Sequence, residues 1–406
     1  MERCIIGANH INLTLQRSIG GIMEEALKQL FEKVDESHEE MIGLWKKLVN
    51  RDCGSGNKAG VDSVGQDIKG ILEGLGFTVR FHEYEKAGNM LVADWGDFSK
   101  PFIIITGHMD TVFKDGQAAE RPFTIKDGKA YGPGVLDMKG GLTIAFTALK
   151  LLKEIGYDRY AIRVILAGDE EVGHGQSGAG ADFLKEAKGA LMGFNMETGF
   201  MDNGIVIERK GCRRYRIDID GVGAHAGNNP EDGRSAVEEL AHKILAIQKL
   251  TDYEEGTTLN CGVIGGGTVA NAIPEHAWCI VDVRYLTQKG MDRVDLEMKK
   301  IEKETFVPDT KTTITTILDV PAMERRQASI DLCERASEIA QAAGLPAVHP
   351  ITVGGGSDSA FLIKAGVPTI CALGVRGEFN HTVREYAVVD SLFERTKFLL
   401  AILMKL

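Results

Sequence analysis

Apolar positions along the chain follow two alternating periods. Residues 37–49 place Met41, Leu44, Trp45 and Leu48 on one face at helical spacing. Strand-like runs follow at 77–84, 90–95 and 102–106. A helix is predicted over 138–155, a strand over 162–166, a helix over 180–187 and a strand near 191–196. After residue 322 the alternation resumes, with helix 330–343, a strand near Ile351, helix 359–365, strand 369–373 and helix 391–403. Strands alternating with helices predict an α/β fold, with a mainly parallel sheet covered by helices on both faces.

The middle breaks this rhythm. Between Arg213 and Ile317 the order is strand (215–220), helix (234–250), strand (257–263), strand (277–285), helix (291–305) and strand (312–317). This β-α-β-β-α-β order is the ferredoxin-like arrangement. It predicts a domain over 212–321 inserted into a catalytic domain made of 1–211 and 322–406. A chain of 406 residues is long enough for two cores. No internal repeat or low-complexity segment is visible. Residues 1 to about 20 have no clear period and are expected to be a poorly anchored extension.

Composition narrows the class. Hydrophobic content of 44% and charged content of 26% are ordinary for a globular protein. A formal net charge of −11 without any basic block argues against nucleic acid as a partner. No apolar run is long enough to span a membrane, and Asn9, His10 and Asn12 interrupt any signal-like stretch. The cysteine count is 7, odd and without a C-x-x-C, which fits reduced thiols in a cytosolic protein.

The chemistry-bearing residues gather just past strand runs. His108, Glu170, Glu171 and Glu197 all follow such runs, where active sites of α/β sheets collect. His108 and Asp110, two apart in an extended segment, point to one side, so a carboxylate could orient an imidazole. Asp137 lies in the glycine-rich run Gly132-Pro133-Gly134-Val135-Leu136-Asp137-Met138-Lys139-Gly140-Gly141. His381 precedes the last helix. Each has a bland reading taken singly: a turn histidine, an N-cap aspartate, a solvated glutamate, a surface histidine. Together, two histidines and three carboxylates with a spare glutamate beside one of them supply the parts of a two-metal hydrolase. Mixed imidazole and carboxylate ligands suit Zn²⁺, with Mn²⁺ or Co²⁺ admissible. Gly173-His174-Gly175-Gln176-Ser177-Gly178 matches a dinucleotide fingerprint. Asp169, Glu170 and Glu171 stand between strand and glycines, however, and would repel a pyrophosphate.

The blocks Thr106–Val112, Gly132–Gly141, Gly168–Val172, Met196–Thr198 and Gly354–Ser359, with His381, resemble the co-catalytic zinc carboxypeptidases and deacylases. That family includes glutamate carboxypeptidase, acetylornithine deacetylase, succinyl-diaminopimelate desuccinylase and aminoacylase, and the spacing resembles that of the bacterial glutamate carboxypeptidases. The resemblance implies two zinc ions bridged by Asp137. His108 and Glu197 would complete one site, and Glu171 and His381 the other. Asp110 would support His108, and Glu170 would be the general base. The inserted domain would be a lid and dimerisation domain. His225 would reach the partner subunit's site to stabilise an oxyanion in a homodimer. Asn271, Arg284 and the backbone of Gly356 would hold the substrate's carboxylate. Glutamate at position 197 favours the carboxypeptidases and deacylases over the aminopeptidases. The expected activity is hydrolysis on the acyl side of an amino acid with a free carboxylate, as in glutamate carboxypeptidase. The runner-up is an acetylornithine or succinyl-diaminopimelate deacylase. A non-catalytic, metal-stabilised binding dimer is the alternative of another class, and the intact Glu170 speaks against it.

Overall fold

Helix α1 (His38–Val49) buries Met41, Trp45 and Leu48, as its periodicity predicts, and Trp45 Nε1 donates to the carbonyl of Val135 at 3.0 Å. Helix α2 (Lys58–Gly74) was not expected. Val61, Val64, Ile68 and Leu72 form its buried stripe, but four glycines dilute the signal, each costing roughly 1 kcal/mol of helix propensity relative to alanine. Gly65 has a packing reason to be glycine. A Cβ there would lie 3.2 Å from the Phe81 ring and 3.6 Å from the Met109 sulfur, so its absence lets the helix sit close to the sheet. The computed structural model of the protein describes residues 21 and 23–406, so the expected N-terminal extension and Cys4 lie outside the described residues.

The central sheet uses β1 (Thr78–His82), β2 (Gly88–Trp95), β3 (Phe102–His108), β4 (Ala161–Gly168) and β5 (Gly193–Asn195), with helix α3 (Gly140–Glu154) between β3 and β4 and helix α4 (Gly180–Ala187) between β4 and β5. A sixth, short strand at Thr369–Ile370 extends it beyond β5. β3 runs parallel to β4 and β5, whereas β1 pairs antiparallel with β2, and β2 antiparallel with β4. The sheet is therefore mixed: three of its five pairings are parallel, and β2 alone runs against the other strands. The connections explain it: residues 83–87 and 96–101 are too short for a parallel crossover, which needs a dozen or more residues. Alternate residues of β2 face opposite layers. Leu91 and Ala93 join the core beneath α1, α2 and α3, while Met90 and Val92 pack with Phe183 of α4 and Phe361.

The middle of the chain forms a second sheet from β6 (Gly211–Asp220), β7 (Thr258–Gly266), β8 (His276–Tyr285) and β9 (Lys311–Val320), with helices α5 (Ala236–Gln248) and α6 (Gln288–Lys303). All pairings are antiparallel, in the order β7-β8-β6-β9. Its own core sets Ile217, Ile219, Val281 and Val283 against Leu240 and Ile247 of α5 and Val294 and Met298 of α6. The chain then returns through helix α7 (Gln327–Ala342) and ends in helix α8 (Val389–Lys405), which packs on α3. No helix among the described residues is long and apolar enough to cross a membrane. The six cysteines among the described residues are free thiols.

Candidate active site and metal centre

The parallel strands β3, β4 and β5 end side by side, and their carboxyl ends carry the site. His108 is the last residue of β3 and is buried. Its Nδ1 faces the Asp110 carbonyl at 3.0 Å, which leaves Nε2 free to point at Asp137 Oδ1 (3.2 Å) and Glu197 Oε1 (3.6 Å). The Asp110 carboxylate ties three segments together. Oδ2 accepts from Ser55 Oγ at 2.6 Å and from the Glu171 amide at 3.2 Å, and Oδ1 accepts from the Glu170 amide at 3.1 Å.

Asp137 sits just ahead of α3, and its two oxygens face different histidines. Oδ2 lies 3.1 Å from His381 Nε2, which is itself 3.0 Å from Glu171 Oε2. Gly141 allows this meeting of segments. A Cβ there would fall 1.9 Å from the Met196 carbonyl, so the start of α3 touches the end of β5 and brings Asp137 beside Glu197. Donor atoms of His108, Asp137 and Glu171 lie within 4.8 Å of one another, as do those of His108, Glu170 and Glu197. The second oxygen of Glu171 is buried without a protein partner.

The electrostatics describe a site short of positive charge. Burial, reinforced by Glu197, Asp358 and Glu171, holds the Glu170 carboxyl well above the usual range despite His108. Burial and Asp137 push Glu197 up to about 7 and raise Glu171 as well. Asp137 goes the other way: burial opposes it, but hydrogen bonds to His108 and His381 hold its carboxyl far down. His381 is pushed up to about 11 by Asp137 and Glu171. Burial alone would lower His108, but Asp110 and Asp137 raise it well above 6.5. A cluster of carboxylates whose charge is disfavoured by desolvation and by one another, with an orphaned oxygen among them, is the setting that bound cations relieve. The donor set fits divalent metal ions.

A cleft of about 520 Å³ opens over the cluster, and its far wall carries Arg209, Arg214, Arg284 and Gly356. Arg284 is held by Asp282, its Nε donating at 2.8 Å. Buried Arg209 donates to the carbonyls of Gly355 and Gly356 at 3.2 Å each. His225 and Asn271 are not brought to the cluster. They line a separate cavity of about 630 Å³ in the middle segment, where the Ala226 amide donates to the Asn271 carbonyl at 3.0 Å. His225 Nδ1 accepts from the Gly227 and Asn228 amides at 3.1 Å each, which puts the ring proton on Nε2.

Three supports escaped sequence reasoning. Glu385 is buried and accepts from the amides of Gly134, Leu136 and Asp137, fixing the loop that presents Asp137. His174, inside the dinucleotide-like run, bridges Asp169 (2.9 Å) and Asp358 (2.6 Å) and so ties the Glu170–Glu171 turn to the glycine loop. Arg209 is the third. In sequence, Glu208-Arg209-Lys210 and Arg384-Glu385 look like ordinary solvated charges.

Residues 104–405 match the sequence profile of peptidase family M20/M25/M40. Carboxypeptidase G2 of Pseudomonas sp. (strain RS-16) is 29% identical over 386 residues, covering 93% of this chain and 92% of that protein. Aminopeptidase PepT from Bacillus cereus superposes with a TM-score of 0.73 at 24% identity, covering 90% of this chain and 98% of that one. The Bacillus subtilis YXEP protein, described as a dinuclear metal-binding peptidase, superposes with a TM-score of 0.64 at 16% identity, covering 91% and 98%. The two structural likenesses bear on the fold.

Proposed function

The chain belongs to peptidase family M20/M25/M40 and is a hydrolytic enzyme, and from that premise we propose that it is a di-zinc amidohydrolase cleaving the bond on the acyl side of an amino acid with a free carboxylate. The observation that carries this is Asp137, whose two oxygens face His108 at 3.2 Å and His381 at 3.1 Å. One carboxylate thus serves two donor sets. His108, Asp137 and Glu197 would hold one cation, and His381, Asp137 and Glu171 the other. Cobalt or manganese could replace zinc in such a set. Divalent cations held there would supply the Lewis acidity for the scissile carbonyl.

The chain's own residues do the rest. Glu170, half-buried, lies with His108 and Glu197 and is the chain neighbour of Glu171, and its raised affinity for a proton suits a group that must accept and return one. It takes a proton from the attacking water as the C–O bond forms. It delivers that proton to the nitrogen as the C–N bond breaks. Asp110 holds the His108 ring and the Glu170–Glu171 turn in place. The substrate carboxylate would lie against Arg284 and the Gly356 backbone, in the cationic wall of the cleft.

Residues 212–321 act in this reading as a ferredoxin-like lid and dimerisation domain inserted into a catalytic domain of 1–211 and 322–406. Exposed Leu245 on α5 and Val263 and Ile264 on the edge strand β7 support a homodimer through that face. In the partner subunit's site, Asn271 would help to hold the substrate carboxylate and His225 would offer its Nε2 proton to the oxyanion. The 29% identity to carboxypeptidase G2 over 93% of the chain supports a glutamate carboxypeptidase-like activity. A panel of N-acyl amino acids and dipeptides, each as free acid and C-terminal amide, tests this with products identified by mass spectrometry. Free acids should be cleaved and amides spared. Equal turnover of both would remove the carboxylate requirement.

A further inference from the structure

A second cavity adjoins the candidate metal centre at Glu171. It has a volume of about 420 Å³ and lies between the loop after α1 and the segment after β3. Glu171 and Val172 line both cavities, so the two adjoin at a proposed metal ligand. Ser55, on its floor, is the residue that donates to Asp110 at 2.6 Å. The reacting carbonyl therefore has space on two sides.

The two spaces differ in character. The first carries three arginines and suits a carboxylate. The second is lined by Val112, Phe113 and Val172, of which Val112 is 40% and Val172 44% exposed. Apolar side chains left in water around a concave space beside a reactive centre mark a place where an apolar group is received. Its charged linings are mostly engaged: Asp115 accepts from Asn57 Nδ2 at 2.7 Å, and Glu171 faces His381. Lys114 stands exposed at the rim, without an ion pair among the described residues. The volume falls within the range of small-molecule sites and is far larger than an acetyl group needs.

Resting on the hydrolase reading above, the geometry assigns this cavity as the acyl-group subsite, and its preferred occupant is a medium-length apolar acyl chain. The amino acid leaves from the cationic cleft, and the acyl chain lies along Val112, Phe113 and Val172. Substrate choice on the acyl side is then set by apolar area buried.

The test uses the Zn²⁺-loaded full chain and a series sharing one leaving amino acid: acetyl-, butanoyl-, hexanoyl- and succinyl-glutamate. kcat/KM should rise roughly two- to fourfold per added methylene up to hexanoyl, and succinyl should fall below butanoyl. Val112→Trp, which fills the cavity, should collapse the hexanoyl-to-acetyl ratio towards one. Phe113→Ala, which removes contacts without adding bulk, should make the slope shallower. Acetyl-glutamate turnover with a flat series overturns the subsite and leaves the hydrolase reading standing. A succinyl derivative preferred over hexanoyl also overturns it, assigning the cavity to an anion at Lys114. No hydrolysis of any member overturns the hydrolase reading and the subsite with it.

Discussion

Glu170 and Glu171 are neighbours in the chain with different surroundings. Glu171 Oε2 faces His381 at 3.0 Å, while half-buried Glu170 lies with His108 and Glu197 and feels the added negative charge of Asp358. Their replacements should therefore fail differently. Glu170→Ala should keep both metal ions and lose activity by a factor of about 10² or more, as for a positioned acid–base group. Glu171→Ala should lose metal occupancy as well. Elemental analysis beside a turnover assay separates the two, and equal metal loss would contradict the assigned roles. The ligand candidates were legible in sequence because each lies in a short block whose local chemistry is unusual: His-Met-Asp after a strand, paired glutamates, an aspartate among glycines. Glu385 and His174 were not, since their partners are remote. Asp137 is 248 positions from Glu385, and Asp358 is 184 from His174. No local pattern announces such a contact.

At the scale of elements, the antiparallel edge of the central sheet is pinned by one carboxylate. Asp94 on β2 accepts from Arg80 on β1 at 2.7 Å and from Arg163 on β4 at 2.7 and 3.0 Å. Burial works against its ionisation, but hydrogen bonds from Arg163 and Arg80 prevail and hold its carboxyl below the usual range. Its stabilisation is thus present above the unfolded-state value near pH 4 and fades as pH falls through the lower folded value. Asp94→Asn should cost about 1–2 kcal/mol at pH 7, moderated by partial exposure. The difference from wild type should shrink below about pH 4 in denaturant melts. A difference unchanged at pH 3 would show that the ionised carboxylate is not its source. The same edge marks where sequence reading stopped short. Period identified β1, β2, β3 and β4 as strands, but alternation with helices suggested parallel pairing. The decisive information was the brevity of residues 83–87 and 96–101. Helix α2 was missed because Gly60, Gly65, Gly70 and Gly74 lower its propensity, whereas its stability comes from packing.

For the whole molecule, the separate placement of His225 has a consequence. It lines a cavity that contains none of the proposed metal ligands, so in the proposed dimer it would serve the partner's site. Glu170→Ala and His225→Ala chains, each inactive alone, should recover about a quarter of wild-type activity when unfolded, mixed equally and refolded, because half the dimers then hold one complete site. No recovery, with mixed dimers confirmed by mass, would refute action across the interface. In the proposed centre one carboxylate, Asp137, serves two metal ions. Elemental analysis of chelator-stripped protein after dialysis against Zn²⁺, with amide hydrolysis assayed on the same sample, tests it most directly. Close to two metal ions per chain, with activity appearing as the second is bound, is the predicted result. Chains that bind no metal, and that gain no activity with Zn²⁺, Mn²⁺ or Co²⁺, would contradict it.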